Sequence, residues 1–193
     1  PYIIQGQGFF TLANDYNYQE IAFNVYCSNA IKHGNFLWDW NTDLGGNFVA
    51  NYAYYTLGSP FFWLTCLFPT KWVPYVMAPI MMLKYGIAGL TAYWYMRRFV
   101  KKNITAVIGG LLYAFSGFQA ANLLFSHFMD AVALFPLLLI GLEKLVVDKK
   151  RLLFAVAVAL NAANNYFFFV GEVVFLALYY LFRFVLEKKA GWK

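Results

Sequence analysis

The sequence predicts an all-α, polytopic membrane protein with about five transmembrane helices and a large polar loop before them. Apolar residues make up 62% of the 193 residues, charged residues only 12%, and the mean hydropathy is +0.53. A soluble domain is roughly half apolar and about a quarter charged. Long apolar runs fill the second half of the chain, and in lipid only helices or closed barrels satisfy every backbone polar group. The composition therefore excludes an ordinary water-soluble fold.

Five apolar runs have the length of a membrane-crossing helix, which takes roughly 17 to 25 residues. They cover residues 73–96, 104–125, 129–147, 152–168 and 169–186, so residues 72–193 form the transmembrane region and residues 1–71 form the loop. The last two of these form one apolar run that is too long for a single crossing. We place the turn between them at Asn161, Asn164 and Asn165, because polar groups interrupt the apolar run there.

Lys and Arg collect at three junctions, and this bias predicts the orientation. The bases are Arg97, Arg98, Lys101, Lys102, Lys144, Lys149, Lys150, Arg151, Lys188 and Lys189. By the positive-inside rule these junctions are cytoplasmic, so the first loop and the junctions near residues 126–130 and 161–166 are external. The net charge of +6 thus follows from topology, and without a groove-reading motif it predicts no nucleic-acid partner.

The external loop is predicted to carry short amphipathic, interfacial helices. Apolar positions recur at helical spacing from about residue 16 to 33, and Gly34 stands where a C-cap belongs. The apolar segment 61–68 is too short to span. Asp15 precedes the first of these helices, where its carboxylate is either the helix N-cap or a functional group beside the membrane. The sequence alone leaves both roles open.

Residues 38–47 place acidic and amide oxygens at alternate positions, as the start of a calcium loop does. Leu44 stands where such a loop needs glycine, and Ala50 stands where it needs the closing glutamate. These departures favour a turn-rich loop anchored by interfacial tryptophans over a metal site, which stays open as the alternative.

Polar groups within or beside the spans are candidates for binding. Lys84 lies inside the first span, where it either reaches the interface or meets a buried anionic partner. His127 and Asp130 lie at the external end of the third span, where Asp130 is either a helix cap or a functional acid. Residues 164–166 at the outer turn either satisfy backbone groups or bind a sugar.

Short motifs spread along the chain carry a family resemblance. They are Asp15 with Gln19, Trp38-Asp39, Asp43-Leu44-Gly45-Gly46-Asn47, Tyr54-Tyr55, Ser59-Pro60-Phe61, Tyr113 to Gly117, Phe128 to Asp130 and Asn164 to Phe167. In this order they resemble the bacterial YfhO family. The resemblance covers nearly the whole chain and implies an N-terminal fragment that lacks the family's first transmembrane helix and its later spans. That family is similar to glycosyltransferase-C enzymes, so a glycosyltransferase-C-like fold is expected.

The resemblance also implies an activity. Enzymes of this kind move a sugar from a polyprenyl-phosphate carrier to a cell-envelope polymer, such as lipoteichoic acid, on the external face of the bacterial plasma membrane. Their catalytic carboxylate is an Asp in the first external loop, and the matching position is Asp15, as general base. The expected substrate-binding residues are Gln19, Asp43, Lys84, His127, Asp130, Asn164, Asn165 and Tyr166. Some members use a divalent cation, so the cofactor stays open, with Asp39, Asp43 or Asp130 as candidate ligands.

Two other interpretations stay open. A transporter or lipid flippase without glycosyl transfer would use Lys84, Asp130 and Glu172 along a pathway. Transporters concentrate polar groups near the middle of the membrane and often show repeat symmetry, whereas this chain places its acids outside and has no obvious internal repeat. A non-catalytic assembly partner is the third interpretation. The distribution of acids favours the glycosyltransferase.

Overall fold

A computed structural model describes residues 8–186, and this part of the chain is predominantly helical. The first and last seven residues, which include Lys188 and Lys189, lie outside the described residues. Within residues 8–186 the only β structure is one antiparallel pair of two-residue strands. The predicted all-α class is therefore confirmed.

The part of the chain before the long helices, residues 8–72, consists of short elements; we call it the external region after its predicted orientation. Helix α1 starts with a π-helical turn, Tyr16–Ile21, and continues as Ala22–Lys32. A short hairpin of β1 (Trp38–Asp39) and β2 (Gly46–Asn47) follows it. The remaining elements are α2 (Phe48–Tyr52) with the π-helical turn Ala53–Leu57, α3 (Pro60–Thr65) and the 3-10 turn Thr70–Trp72. Gly34 follows α1 with a φ of +74°, a conformation that favours glycine. Ser59 caps α3 by accepting from the Phe62 backbone N–H at 3.2 Å.

Six further helices form the apolar part of the chain that the structure describes. They are α4 (Val73–Met96), α5 (Asn103–Ala114), α6 (Gly117–Ala121), α7 (Ser126–Val146), α8 (Leu152–Asn164) and α9 (Tyr166–Tyr180), which runs on into the π-helical turn Leu181–Leu186. α4 packs against α5 and α7, and α7 packs against α8. α7 is consequently enclosed between its neighbours.

Three stretches of the described chain are long and apolar enough to cross a membrane: Thr70–Met96, Asn103–Ala121 and Tyr166–Leu186. α7 has 21 residues, most of them buried inside the protein, and α8 has only 13. The structure thus supports a membrane protein with three candidate spans. Crossing by α7 and α8 stays a prediction.

The predicted run 104–125 is not one continuous helix. α5 ends at Ala114, and the chain is extended at Ser116, with φ −65° and ψ 158°, before α6 begins at Gly117. Serine competes for backbone hydrogen bonds and glycine is a poor helix former, so this pair favours an interruption that hydropathy does not reveal.

A short turn separates α8 from α9. Asn165 is extended, and its Oδ1 accepts from the backbone N–H groups of Phe167 at 3.1 Å and Phe168 at 3.3 Å. It is therefore the N-cap of α9. Gly58 approaches this turn so closely that a Cβ at its position would lie 2.0 Å from the Ala163 carbonyl oxygen. The absence of a side chain at Gly58 thus allows the external region to dock on the end of α8.

An apolar core joins the external region to the long helices. Tyr16, at the start of α1, is fully buried and packs in a cluster with Val73, Met77 and Met81 of α4 and Met129 of α7. This packing lays α1 along the N-terminal half of α4 and beside the first turn of α7. It brings the polar residues of α1 next to those of the long helices.

Candidate functional site

Ionisable side chains meet where α1, α4 and α7 come together. Glu20 is contributed by α1, Lys84 by α4, and His127 and Asp130 by the beginning of α7. Each of the four side chains is less than a tenth exposed. Charged groups this deeply buried are tolerated only when they are paired and hydrogen-bonded. We call these four residues the buried cluster and take them as the candidate site.

Lys84 and Asp130 form the first pair of the buried cluster. The Lys84 Nζ lies 2.6 Å from the Asp130 Oδ1, and it also donates to the backbone oxygen of Ser126 at 2.9 Å and to the Ser126 Oγ at 2.8 Å. Lys84 lies eleven residues into α4, or about 16 Å along its axis. Of the two alternatives for Lys84, the structure therefore shows a buried anionic partner, and that partner is Asp130.

Glu20 and His127 form the second pair. The His127 Nδ1 is hydrogen-bonded to the Glu20 Oε1 in a short contact, and both side chains are buried. The rings of Tyr54 and Tyr55 stand against the imidazole with centroid distances of 5.0 and 5.1 Å. Because the carboxylate and the rings surround it, the imidazole has a fixed orientation.

The buried cluster borders a cavity of only about 20 Å³. A single water needs roughly 10 to 15 Å³ measured in this way. The cavity therefore has room for one water but not for a sugar or a phosphate. A substrate could reach these four side chains only if α1 or the adjoining segments moved apart.

Asp15 lies at the start of α1 and is exposed. Its side chain makes no capping hydrogen bond, so in this structure the residue occupies the N-cap position without the side-chain contact that defines the role. Gln19, one turn further on, is half-buried. Within residues 8–186 no hydrogen bond or ion pair joins Asp15 to the buried cluster. Its carboxylate is therefore free to meet a group arriving from outside.

The residues at the α8–α9 turn are linked to the buried cluster by aromatic rings. Asn164 and Asn165 are buried, and Asn165 serves as the N-cap described above, whereas Tyr166 is exposed. The Tyr166 ring lies 5.8 Å from the Tyr54 ring, which in turn contacts the imidazole of His127. Burial raises the pKa of Tyr54 above its usual range, so this hydroxyl stays protonated even in mildly alkaline solution and can donate.

Asp43 lies apart from the other predicted site residues. It is exposed in the loop between β1 and β2, with a φ of +51°. Asp39, at the start of the same loop, is held by other contacts. Burial opposes its charge, but hydrogen bonds from Thr42, Tyr26 and Asn41 outweigh that effect and lower the pKa of Asp39.

In the part of the chain that the structure describes, no three His, Cys, Asp or Glu side chains are grouped to hold a metal ion.

Glu20 was not among the residues that the sequence singled out for binding. The signal for it was present, because the buried face of α1 follows a helical spacing through Tyr16, Glu20, Asn24 and Cys27. An acid on the buried face of a helix must find a partner. Its partner, His127, is 107 residues away, and no local pattern could have named it.

Comparison with known proteins identifies the family. The family model described as Bacterial membrane protein YfhO matches residues 2–193. The chain belongs to the YfhO family. It is also 25% identical over 183 residues to a protein of Bacillus subtilis (strain 168) named Uncharacterized protein YfhO, an alignment that covers 88% of this chain and 21% of that protein. No solved structure matches the chain.

Membership of the YfhO family agrees with the three candidate spans, since the family is one of bacterial membrane proteins. The chain spans about a fifth of the length of its Bacillus subtilis relative. The name of that relative assigns it no activity. The function must therefore be argued from the site.

Proposed function

We propose that this protein is part of an inverting membrane glycosyltransferase that moves a sugar from a polyprenyl-phosphate carrier to a cell-envelope polymer such as lipoteichoic acid. The observation that carries the proposal is the buried cluster formed where α1 packs on α4 and α7, together with the free carboxylate of Asp15, the residue that precedes α1. Sugar transfer from a phosphate carrier uses a base for the acceptor hydroxyl and a cation for the leaving phosphate, and Asp15 and Lys84 are groups of these two kinds.

Asp15 is the proposed general base. Its carboxylate takes the proton of an acceptor hydroxyl while the acceptor oxygen bonds to the anomeric carbon of the sugar. The bond between that carbon and the phosphate oxygen breaks, and its electron pair leaves with the phosphate. Exposure of Asp15 suits this role, because the acceptor is a polymer that approaches from outside.

Lys84 is the proposed partner of the carrier phosphate. The leaving phosphate gains negative charge, and a preorganised cation lowers the barrier by meeting that charge. In this structure Lys84 is neutralised by Asp130, and the small cavity excludes a phosphate. Donor binding then moves α1 away from α4 and α7 and parts the two residues of each pair. The phosphate takes the place of Asp130 beside Lys84. Gln19, His127, Asn164, Asn165 and Tyr166 then line the opened site.

The proposal requires the first loop to be external. The basic junctions support this orientation, because Arg98 after α4 and Asp148 after α7 form an ion pair of 3.0 Å at the end of the helices opposite to the buried cluster. Lys144, Lys149 and Lys150 lie near this pair in sequence. Basic residues of short loops face the cytoplasm, so the buried cluster would face outward in the bacterial plasma membrane.

The test is a transfer assay with the full-length protein in proteoliposomes. Radiolabelled polyprenyl-phosphate sugar is supplied with purified lipoteichoic acid, and label in the polymer is measured. Time-dependent labelling by the wild-type protein is expected. A bound donor with no labelled polymer would contradict the proposal.

One observation favours a second function, a lipid flippase. Lys84 and Asp130 are ionisable groups buried between long apolar helices, and such groups often line a transport pathway. The same proteoliposomes distinguish the two functions. Movement of a fluorescent polyprenyl-phosphate between leaflets without sugar transfer would favour the flippase.

A further inference from the structure

A second cavity lies on the outer surface, between the C-terminal half of α1 and the β1–β2 hairpin. Its volume is about 230 Å³. Ligand pockets for drug-sized molecules start at roughly 300 Å³, so this one suits a ligand of about one ring. We call it the hairpin cavity.

Asp39 fixes the floor of the hairpin cavity. Its carboxylate is 5% exposed and accepts hydrogen bonds from the Tyr26 hydroxyl at 2.5 Å, the Asn41 backbone N–H at 2.9 Å and the Thr42 hydroxyl. The Tyr26 bond ties the hairpin to α1, and the other two bonds hold the loop of the hairpin itself. The cavity is therefore preformed rather than assembled by a ligand.

Trp38 and Trp40 form an aromatic wall. The Trp40 side chain is 76% exposed and the Trp38 side chain is 53% exposed, and their rings meet edge to face at 5.7 Å. Gly45 supports them, because a Cβ at its position would lie 3.0 Å from a ring carbon of Trp40. An exposed, supported indole is the surface on which the C–H face of a sugar packs.

Amide side chains complete the lining. Asn29, Asn35 and Asn41 each offer a donor and an acceptor, which match neighbouring sugar hydroxyls. Within residues 8–186 the side chains of Asn29 and Asn35 make no hydrogen bond to protein, so they are available. The lining carries one charge, that of Asp39, and no Lys or Arg. An anion such as phosphate would find no cation to pair with in this lining and would be repelled by Asp39.

We propose that the hairpin cavity binds an uncharged sugar ring, stacked on Trp40 and hydrogen-bonded by the asparagine amides and Asp39. Tyr26 lies six residues along α1 from Glu20, about 9 Å along the helix axis. The hairpin cavity therefore lies further along the same helix that contributes Glu20 to the buried cluster. The inference rests on the proposed function, since it assigns the sugar to a substrate of the transfer reaction, either the carrier-linked donor or the glycan acceptor.

The test is sugar binding to the full-length protein in lipid nanodiscs, without sugar-headed detergent. Glucose, galactose and N-acetylglucosamine are titrated by saturation-transfer NMR, and glycerol 3-phosphate is the anionic probe. At least one sugar is expected to bind. Trp40→Ala and Asn35→Ala should each weaken it about tenfold, the loss expected for one aromatic or amide contact. Trp72→Ala is the matched control, because Trp72 is an exposed indole at the start of α4, outside the cavity.

Four results would overturn the inference. They are no sugar bound by the wild-type protein, equal binding by Trp40→Ala, preference for glycerol 3-phosphate, and a membrane-anchoring role for the indole. The last is detected when a dye on Trp40→Cys is quenched by lipid-borne quenchers. Competition by polyprenyl-phosphate sugar would identify the donor as the source, and competition by a soluble envelope glycan would identify the acceptor. The binding assay needs no catalytic turnover. Sugar binding without sugar transfer would therefore contradict only the transferase proposal, and the absence of sugar binding would contradict only this one.

Discussion

The Nζ of Lys84 lies 2.6 Å from the Oδ1 of Asp130, with both side chains buried between α4 and α7. A buried ion pair is at best weakly stabilising relative to apolar residues of similar volume, because each charge gives up its hydration. Breaking such a pair is costly, since one charge is then left alone. Replacing one residue of the pair therefore tests its structural role, and replacing both with apolar residues tests whether the charges are needed for function.

Replacing Lys84 alone is expected to destabilise the protein strongly. Lys84→Met leaves the Asp130 carboxylate buried without a cation, which costs about 3 to 5 kcal/mol of unfolding free energy. Adding Asp130→Leu should recover most of that loss, as the remaining groups are apolar. Denaturation in mixed micelles measures both variants.

The same double variant also tests function. If Lys84 meets the carrier phosphate, the stable double variant has no transferase activity. Arg98→Met is the matched control, because Arg98 forms an exposed pair with Asp148 and its loss should change neither stability nor activity appreciably. A double variant that is both stable and fully active would reduce the pair to a packing element.

Gly58 is expected to tolerate no side chain. The Cβ of alanine would lie 2.0 Å from the Ala163 oxygen, so Gly58→Ala must push the external region away from the α8–α9 turn, at a cost of about 1 to 3 kcal/mol or more. Gly117→Ala is the control, since nothing lies within 4 Å of its Cβ position. Thermal unfolding in nanodiscs compares the two, and equal melting temperatures would contradict the docking described here.

The β1–β2 hairpin is expected to loosen only in strong acid. The pKa of Asp39 is lowered in the folded protein, so its contribution to stability is fully present above the unfolded value of about 3.9 and is lost as the pH falls through the lower folded value. Emission of Trp38 and Trp40 should therefore stay constant from neutral pH to about pH 4 and change below it. In Asp39→Asn this acid transition should be missing, and its persistence would assign the transition to another group.

Local features of the sequence predict most of the helical segments. The apolar run 73–96 coincides with α4, because length and hydropathy alone define such a helix. Asn165 ends α8 and caps α9, and an asparagine within an apolar run is a strong local signal. The interruption at Ser116 was missed, since two residues within a long apolar run hardly change its mean hydropathy.

The candidate site could be predicted only in part. Lys84, His127 and Asp130 are conspicuous because charged groups are rare in apolar runs. Their pairing depends on contacts between residues 46 and 107 positions apart, which no periodicity encodes. Asp43, predicted as a binding residue by motif, lies in the exposed hairpin apart from the buried cluster, and its binding role stays a prediction.

The predicted orientation can be checked with single cysteines. After Cys27 and Cys66 are replaced, Asp43→Cys and Asp148→Cys are labelled in intact cells by a membrane-impermeant maleimide. Position 43 should react and position 148 should react only after permeabilisation, because the basic junction around Asp148 is predicted to face the cytoplasm. Reaction at 148 in intact cells would invert the topology and place the buried cluster on the wrong face for an external acceptor.

The most direct test of the account is the transfer rate of Asp15→Asn in proteoliposomes that contain the full-length protein. The substitution keeps the size of the side chain and removes the base, and general base catalysis contributes roughly 10² to 10⁴-fold. The account predicts a loss of that order with unchanged membrane insertion, while Asp148→Asn, a matched change at an exposed acid on the opposite end of the helices, keeps wild-type activity. Wild-type activity in Asp15→Asn would contradict the assignment of Asp15 as the base.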